Sequence, residues 1–311
     1  MKIVFMGTPD FAVGALKALI EAGHEITAVV TQPDRPKGRS DKLLATPVKE
    51  CAIANGIPVF QPVRIKRPEA IEELKKYEAD VYIVAAFGQL LSQEILDIPR
   101  FGSINIHASL LPKYRGASPI QHVIIDGEEK TGVTIMQMDA ELDTGDMLYK
   151  KEVVIEKTDN YETLHDKLKV VGGTAIVEAL KLLEDGKLVP EKQDDAASCY
   201  APLITKQMGE VDFTKDAVVI DRRIRGMTPW PSAYTYFHGK QLKIWRATPE
   251  EGAQEGCTAG SVVEVTRDCI RVACGTGSLA IYELQLEGKK RMSTHDFLLG
   301  VKVAVGDVLG V

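Results

Sequence analysis

The chain has 311 residues, 45% of them hydrophobic and 26% charged, and a net charge of −6. These globular values exclude collagen-like, fibrous and disordered classes, and the length favours two domains over one. The five cysteines form no CxxC pair, so metal or redox chemistry is unsupported and a reduced, cytoplasmic setting is expected.

The opening MKIVFMGTPDF turns polar too early for a secretory core and reads as a first strand over residues 2–6. A helix over 10–22 follows, with Phe11, Ala15, Leu16 and Leu19 on one face. A second strand at 25–31 completes a βαβ start, which implies a parallel sheet covered by helices. Helices at 46–55 and 69–77 then alternate with strands at 58–61 and 80–87. The run at 81–87 is of strand length, and no apolar run nears the ~20 residues that span a bilayer. Strands at 103–107, 132–138 and 147–155 continue the pattern, with a helix at 119–127 entered through Pro119. The longest helix, 160–185, repeats Leu164, Leu168, Val171, Ala175, Ala179 and Leu183 along one face. Gly172 and Gly173 inside it signal a kink or a close contact.

Residues 186–212 are polar and without period, and read as a linker crossing the surface. A helix at 214–226 ends before TPWP. Strands at 233–237, 241–246, 261–266, 270–273, 279–286 and 302–304 follow at the spacing of a small β-barrel or sandwich.

The most informative segment is SINIHASLLPKYRGASPI, residues 103–120. Strand alternation places Asn105 and His107 on one face, one pleat apart. Both fall at the carboxyl end of a strand in an open α/β sheet, where ligands bind. An amide that donates to a developing oxyanion and an imidazole that moves protons near neutral pH together suit acyl transfer. The competing explanation is a histidine that satisfies a loop carbonyl. DAELDTGD, residues 139–146, adds Asp139, Asp143 and Asp146 after another strand. A carboxylate beside His107 would fix its tautomer, whereas a lone acidic turn would be solvated. EF-hand spacing for a cation is absent. Ser109 has no G-x-S-x-G elbow. GTPDFAVG lacks the G-x-G-x-x-G of dinucleotide sites, which leaves Gly7 to permit a tight turn.

TQPDRPKGRSDKL, residues 31–43, gathers Arg35, Lys37, Arg39 and Lys42 in a loop suited either to a phosphate backbone or to plain solvation. Residues 1–206 carry the whole charge of −6, and 207–311 are neutral, with 13 basic and 13 acidic residues. A polyanion would therefore need local patches. Arg222, Arg223 and Arg225, and then Lys289, Lys290 and Arg291, are two further candidates.

GTPDFAV, TQPDRPKGR, NIHASLLPKYRGASPI and ELDTGDML, with LITKQMGEVDF behind them, resemble the methionyl-tRNA formyltransferase family over essentially the whole chain. The resemblance implies transfer of a formyl group from 10-formyltetrahydrofolate to the α-amino group of initiator methionyl-tRNA, without a metal, a membrane or an obligate protein partner. It implies an α/β fold with a Rossmann-like formyltransferase domain over residues 1–189, built on a mainly parallel sheet. A linker over 190–206 and a C-terminal OB-like β-barrel domain over 207–311, in contact with tRNA, complete it. Asn105, His107 and Asp143 match the family's catalytic set. Ser109, Leu110, Leu111 and Pro112 match the segment lining its folate site, and Phe87, Gly88, Gln89 and Leu90 should border the pterin. Residues 34–43 match the loop that reaches the acceptor stem, with Arg39 as main contact beside Arg35, Lys37 and Lys42, and with Asp41 diluting the charge. The rival reading is a related enzyme that formylates an amino-sugar nucleotide or hydrolyses the folate itself. The basic loop, which a small acceptor does not need, argues against it. A non-catalytic RNA-binding module would have no use for intact Asn105, His107 and Asp143.

Overall fold

The first apolar run forms β1 (Lys2–Gly7), whose Ile3, Val4, Phe5 and Met6 are fully buried inside a seven-stranded sheet. The computed structural model describes residues 1–36, 43–252 and 256–310. After β1 come α1 (Asp10–Glu21), β2 (Glu25–Val30), the antiparallel pair β3 (Arg35–Pro36) and β4 (Leu43–Leu44), α2 (Pro47–Ala54) and β5 (Val59–Phe60). Then follow α3 (Pro68–Leu74), β6 (Val81–Ala85), α4 (Gln93–Leu96), β7 (Ser103–His107), α5 (Pro119–Asp126), β8 (Lys130–Gln137), β9 (Met147–Val154) and α6 (Tyr161–Glu184). The sheet order is β5-β2-β1-β6-β7-β8-β9. β5 to β7 run parallel, while β8 is antiparallel to both its neighbours. This is the mainly parallel, Rossmann-like sheet that the alternation of strands and helices predicts. The chain winds outward from β1 through β2 to β5 and then returns to β6 on the far side of β1. That reversal makes the carboxyl ends of β1 and β6 a switch point, the usual place for a ligand in such sheets.

Alternation sorts the strands into two faces. On one, Val4, Met6, Ala28, Val30, Tyr82 and Val84 pack with Ile71 and Leu74 of α3 and Ile95 and Leu96 of α4. Each large side chain so buried contributes about 1.5–3 kcal/mol. On the other face, Ile106 and Val133 meet α6 at Gly172, where an added Cβ would lie 3.2 Å from the Ile106 side chain. A Cβ on Gly14 of α1 would fall 2.6 Å from the Lys169 carbonyl oxygen, and one on Gly173 would fall 3.0 Å from Ala18. The two glycines inside the long helix therefore serve close packing of α6 on α1 and the sheet, and the helix runs unbroken through them. Because Ile106 faces α6, Asn105 and His107 face the opposite side.

The unit that carries this sheet comprises Met1–Pro119, Lys130–Val154 and His165–Ala201. A second unit comprises Ile120–Glu129, Ile155–Leu164 and Pro202–Val311. Beyond α5 and the start of α6 it holds α7 (Ala217–Met227), β10 (Ala233–Phe237), β11 (Lys240–Glu250), β12 (Val262–Val265), β13 (Ile270–Ala273), β14 (Ser278–Leu286), β15 (Met292–Ser293) and α8 (Thr294–Gly300). Asp216 caps α7, accepting from Val218 N at 2.7 Å. Ile220 and Ile224 of α7 pack with Ile244, Val272, Ile281, Leu284 and Phe297.

Its antiparallel strands take the order β10-β11-β14-β13-β12, with β15 added to β14. Among the described residues the ladders do not close into a barrel. Backbone bonds from residues 306–310 span the gap instead. Val262 N donates to Asp307 O at 2.7 Å and Leu309 N to Gly260 O at 2.8 Å, while Gly310 N donates to Tyr236 O at 2.8 Å. The strand predicted at 302–304 is not formed. Val301 and Val303 alternate inward because they pack on the core from an irregular segment, and α8, too short to show a period, precedes them. No helix among the described residues is long and apolar enough to cross a membrane.

Candidate active site

β7 ends inside the sheet, between parallel β6 and antiparallel β8. Val84 pairs with Asn105, and Thr134 pairs with His107. Asn105 is partly buried, and its side-chain amide has no hydrogen-bond partner among the described residues. His107 is buried with its ring fixed, Nε2 lying 2.9 Å from the Tyr114 carbonyl oxygen. A carbonyl only accepts, so Nε2 carries the proton. Nδ1 then faces the Asp143 carboxylate, whose Oδ2 is 3.7 Å away, beyond direct hydrogen bonding. The histidine that satisfies a loop carbonyl and the one that faces a carboxylate are thus the same residue.

Asp143 Oδ2 also accepts from Gly116 N at 2.8 Å. Three residues around this pair take left-handed backbone: Tyr114 (φ 59°), Gly116 (φ 109°) and Asp143 (φ 55°). At φ 109° only glycine is at ease, and that turn aims the Tyr114 carbonyl and the Gly116 amide at the same pair. Of the other acidic residues, Asp139 is turned to Thr144, whose Oγ1 donates to it at 2.8 Å, and the Asp146 carbonyl accepts from Gln137 N at 2.8 Å. A Cβ on Gly145 would fall 1.8 Å from the Gln137 carbonyl oxygen, so the loop must have glycine there to reach His107.

The 109–112 segment is held from inside. Ser109 and Thr134 are fully buried. Thr134 Oγ1 donates to Ser109 O at 2.7 Å and accepts from Leu111 N at 3.0 Å, while Ser109 Oγ donates to Lys113 O at 2.7 Å. Leu111 packs with Met136 and Met147, and Leu110 lies over Gly132, where a Cβ would be 2.7 Å from its Cδ2. Pro112 is partly buried. The 87–90 turn leaves the neighbouring strand end at the switch point. Phe87 is buried, and its carbonyl accepts from Thr8 Oγ1 at 2.9 Å and Gln32 Nε2 at 3.3 Å. Gly88 is exposed. The Gln89 amide is committed to backbone, accepting from Ile65 N at 2.7 Å and donating to Pro62 O at 3.1 Å. Leu90 stands out to solvent.

Arg35 is exposed on β3, and Lys37, Arg39 and Lys42 lie outside the described residues. The base of their loop is anchored by Asp34, which binds Lys49 Nζ at 2.6 Å and Gln61 Nε2 at 2.7 Å. These two bonds, Lys49 first, hold the Asp34 carboxyl below the usual carboxylate range. The other basic clusters are largely engaged within the second unit. Arg225 pairs with Asp221 and donates to Asp159 O, both at 2.8 Å, and Arg223 donates to Met208 O at 2.8 Å. The Arg222 guanidinium fills the space beside Gly127. Arg291 clasps Glu283 at 2.6 and 2.8 Å and stacks over Trp245 at 4.6 Å. Lys289 and Lys290 remain exposed.

The polar stretch after α6 contributes more than its composition suggests. Glu191 and Met147 exchange two backbone bonds of 2.8 Å. Gln193 Nε2 donates to both Asp143 O and Gly145 O at 2.8 Å, and its Oε1 accepts from Arg115 Nε at 3.0 Å. Asp195 binds Arg115 Nη2 at 2.7 Å. Arg115 N donates to Cys199 O at 2.9 Å, Ala201 N to Arg115 O at 2.7 Å, and Tyr114 N to Cys199 Sγ at 3.2 Å. Residues 191–201 thus strap together the loop after β7 and the loop before β9. The bonds that do this come from Gln193, Asp195, Cys199 and Ala201 at irregular spacing, which leaves no period in the sequence.

Residues 1–180 match the family model described as formyl transferase, and residues 203–302 match that of the formyl transferase C-terminal domain. The methionyl-tRNA formyltransferase of Geotalea uraniireducens is 51% identical over 310 residues, covering 100% of this chain and 98% of its own. Among solved structures, an N-formyltransferase of Helicobacter canadensis in complex with folinic acid and dTDP-3-aminofucose matches with a TM-score of 0.68 at 18% identity, over 94% of this chain and 100% of its own. HypX of Aquifex aeolicus in complex with tetrahydrofolic acid matches with a TM-score of 0.65 at 18% identity over 98% of this chain, which spans 50% of HypX. At these identities the structural likenesses speak to the fold.

Proposed function

The chain belongs to the methionyl-tRNA formyltransferase family and formylates initiator methionyl-tRNA with a folate-derived donor; we propose that the donor is 10-formyltetrahydrofolate and that Asn105, His107 and Asp143 carry the transfer. The observation that supports this reading is the His107–Asp143 pair at the end of β7, two residues from the unengaged amide of Asn105. The neutral α-amine of the methionyl group attacks the formyl carbon, forming the new C–N bond. The Asn105 amide donates to the oxyanion that develops. The proton shed by the amine enters the gap between His107 Nδ1 and Asp143 Oδ2, and the imidazolium so formed lies beside the oxyanion. Collapse breaks the bond from the formyl carbon to N10 of the folate, which takes the proton back from the His107 imidazolium as it leaves and returns the ring to neutral. Atoms and charge balance without a metal.

In the same reading Phe87–Leu90 border the pterin and Ser109–Pro112 line the folate site. Arg35, Lys37, Arg39 and Lys42 follow the acceptor stem. Residues 1–189 act as the catalytic domain, 190–206 as the linker and 207–311 as a tRNA-contacting domain, and the enzyme works in the cytoplasm, where translation begins. The test is formyl transfer from 10-formyltetrahydrofolate to three acceptors: initiator methionyl-tRNA, elongator methionyl-tRNA and an amino-sugar nucleotide. Transfer to initiator methionyl-tRNA is expected. Transfer to the sugar alone would overturn the acceptor assignment and leave residues 34–43 without a role.

A further inference from the structure

Asp143 reaches His107 from a left-handed residue in a loop, so something must hold that loop. Asp139, Thr144 and Gly145 brace its two ends. The carbonyls of Asp143 and Gly145 themselves are both met by one side chain, Gln193. We propose that Gln193 is a positioning residue for formyl transfer, fixing the Asp143 loop against the turn that holds His107. The proposal rests on the catalytic reading of Asp143 given above.

Every polar function of Gln193 is in use. Both Nε2 hydrogens go to loop carbonyls, and Oε1 takes the Arg115 Nε–H. The amide therefore has one orientation, since the reverse would set Oε1 against two carbonyl oxygens and an NH₂ against a guanidinium N–H. Arg115 lies between Tyr114, whose carbonyl holds His107 Nε2, and Gly116, whose amide holds Asp143 Oδ2. Gln193 thus joins the two loops that set the His107–Asp143 distance while touching neither of the two groups that meet across it. Glutamate would fit the space, but when ionised it has no hydrogen to donate to either carbonyl.

The test measures kcat and both KM values, with initiator methionyl-tRNA and 10-formyltetrahydrofolate, for Gln193→Ala, Gln193→Glu, Asp143→Asn and the Gln193→Ala/Asp143→Asn double variant. Thermal unfolding reports the folded fraction of each. Misplacement of a reacting group by a fraction of an ångström predicts a kcat loss of roughly tenfold or more in both Gln193 variants, with both KM values within about twofold. In the Asp143→Asn background, loss of Gln193 should cost little more, because the group it positions is already disabled. Full turnover in Gln193→Glu, or a double variant whose losses simply multiply, would overturn the proposal. So would a Gln193→Ala defect that vanishes once rates are referred to folded protein. Wild-type kcat in Asp143→Asn would overturn the catalytic reading as well, an outcome separate from an active Gln193→Ala beside a crippled Asp143→Asn.

Discussion

His107 Nδ1 and Asp143 Oδ2 face each other across 3.7 Å while the Nε2 proton is committed to the Tyr114 carbonyl. With the ring neutral, both facing atoms are acceptors and repel. One added proton turns the repulsion into a charge-assisted hydrogen bond. The pair is thus placed to take up a single proton, the number that amine attack would release in the proposed transfer.

Asp143→Asn keeps an oxygen for the Gly116 N–H but no longer takes a proton. The kcat for formylation should fall by roughly 10²–10⁴, with tRNA and folate binding little changed. Single-turnover formylation beside equilibrium binding separates the two quantities.

Asn105→Ala removes an amide that has no structural bond to lose. A kcat loss of roughly 10²–10³ with unchanged thermal stability is expected. Turnover near that of the parent would remove Asn105 from the oxyanion.

Thr134→Val tests the support of the 109–112 segment. The variant leaves Leu111 N and Ser109 O buried without their shared partner. A stability loss of about 2–4 kcal/mol and a raised KM for the folate are expected, read by urea unfolding and steady-state kinetics. Thr134→Ser, which keeps the hydroxyl, should restore most of both.

Glu283 gives the second unit a pH-dependent term. Hydrogen bonding by Arg291 holds its carboxyl below the ordinary value of 4.5. An acid whose folded pKa is lowered stabilises above its unfolded value and loses that stabilisation as pH falls through the folded one. Glu283→Gln should therefore be less stable than the parent at pH 7, and the difference should shrink as pH falls below the ordinary value of 4.5 and disappear once it is below the lowered folded one. Partial exposure of Arg291 keeps the effect under about 1 kcal/mol. Urea unfolding at the two pH values measures it.

Arg39, known here from the sequence alone, should act through phosphate. Arg39→Ala is expected to raise the KM for tRNA and to lower the slope of log KM against log salt by about one. An unchanged slope would take the loop out of tRNA binding.

The strand that carries Asn105 and His107 was legible to the residue, because alternation of Ile104, Asn105, Ile106 and His107 between two faces is written directly in the residue order. Gly172 and Gly173, placed inside a helix, signalled a kink or a close contact, and the close contact is what the structure has. Gln193 was invisible, since a side chain that bonds two loop carbonyls obeys no period. Arg222, Arg223 and Arg225 read as a basic patch because composition cannot tell a solvated guanidinium from one bound to Asp221, to Met208 O or beside Gly127. Asp221 lies one turn away on the same helix, but Gly127 and the Asp159 carbonyl come from segments far away in sequence, as do the backbone bonds of residues 306–310 that span the open side of the second sheet.

The polypeptide passes between its two units after residues 119, 129, 154, 164 and 201. Within the second unit, Gly226 of α7 lies against Ile125, and Arg225 binds the Asp159 carbonyl. A gene cut at residue 201 would thus yield a fragment missing two segments that contact its first helix, α7. Recombination that exchanges the C-terminal part alone with a relative would bring together an α7 and a 120–129 segment that had not been selected for each other.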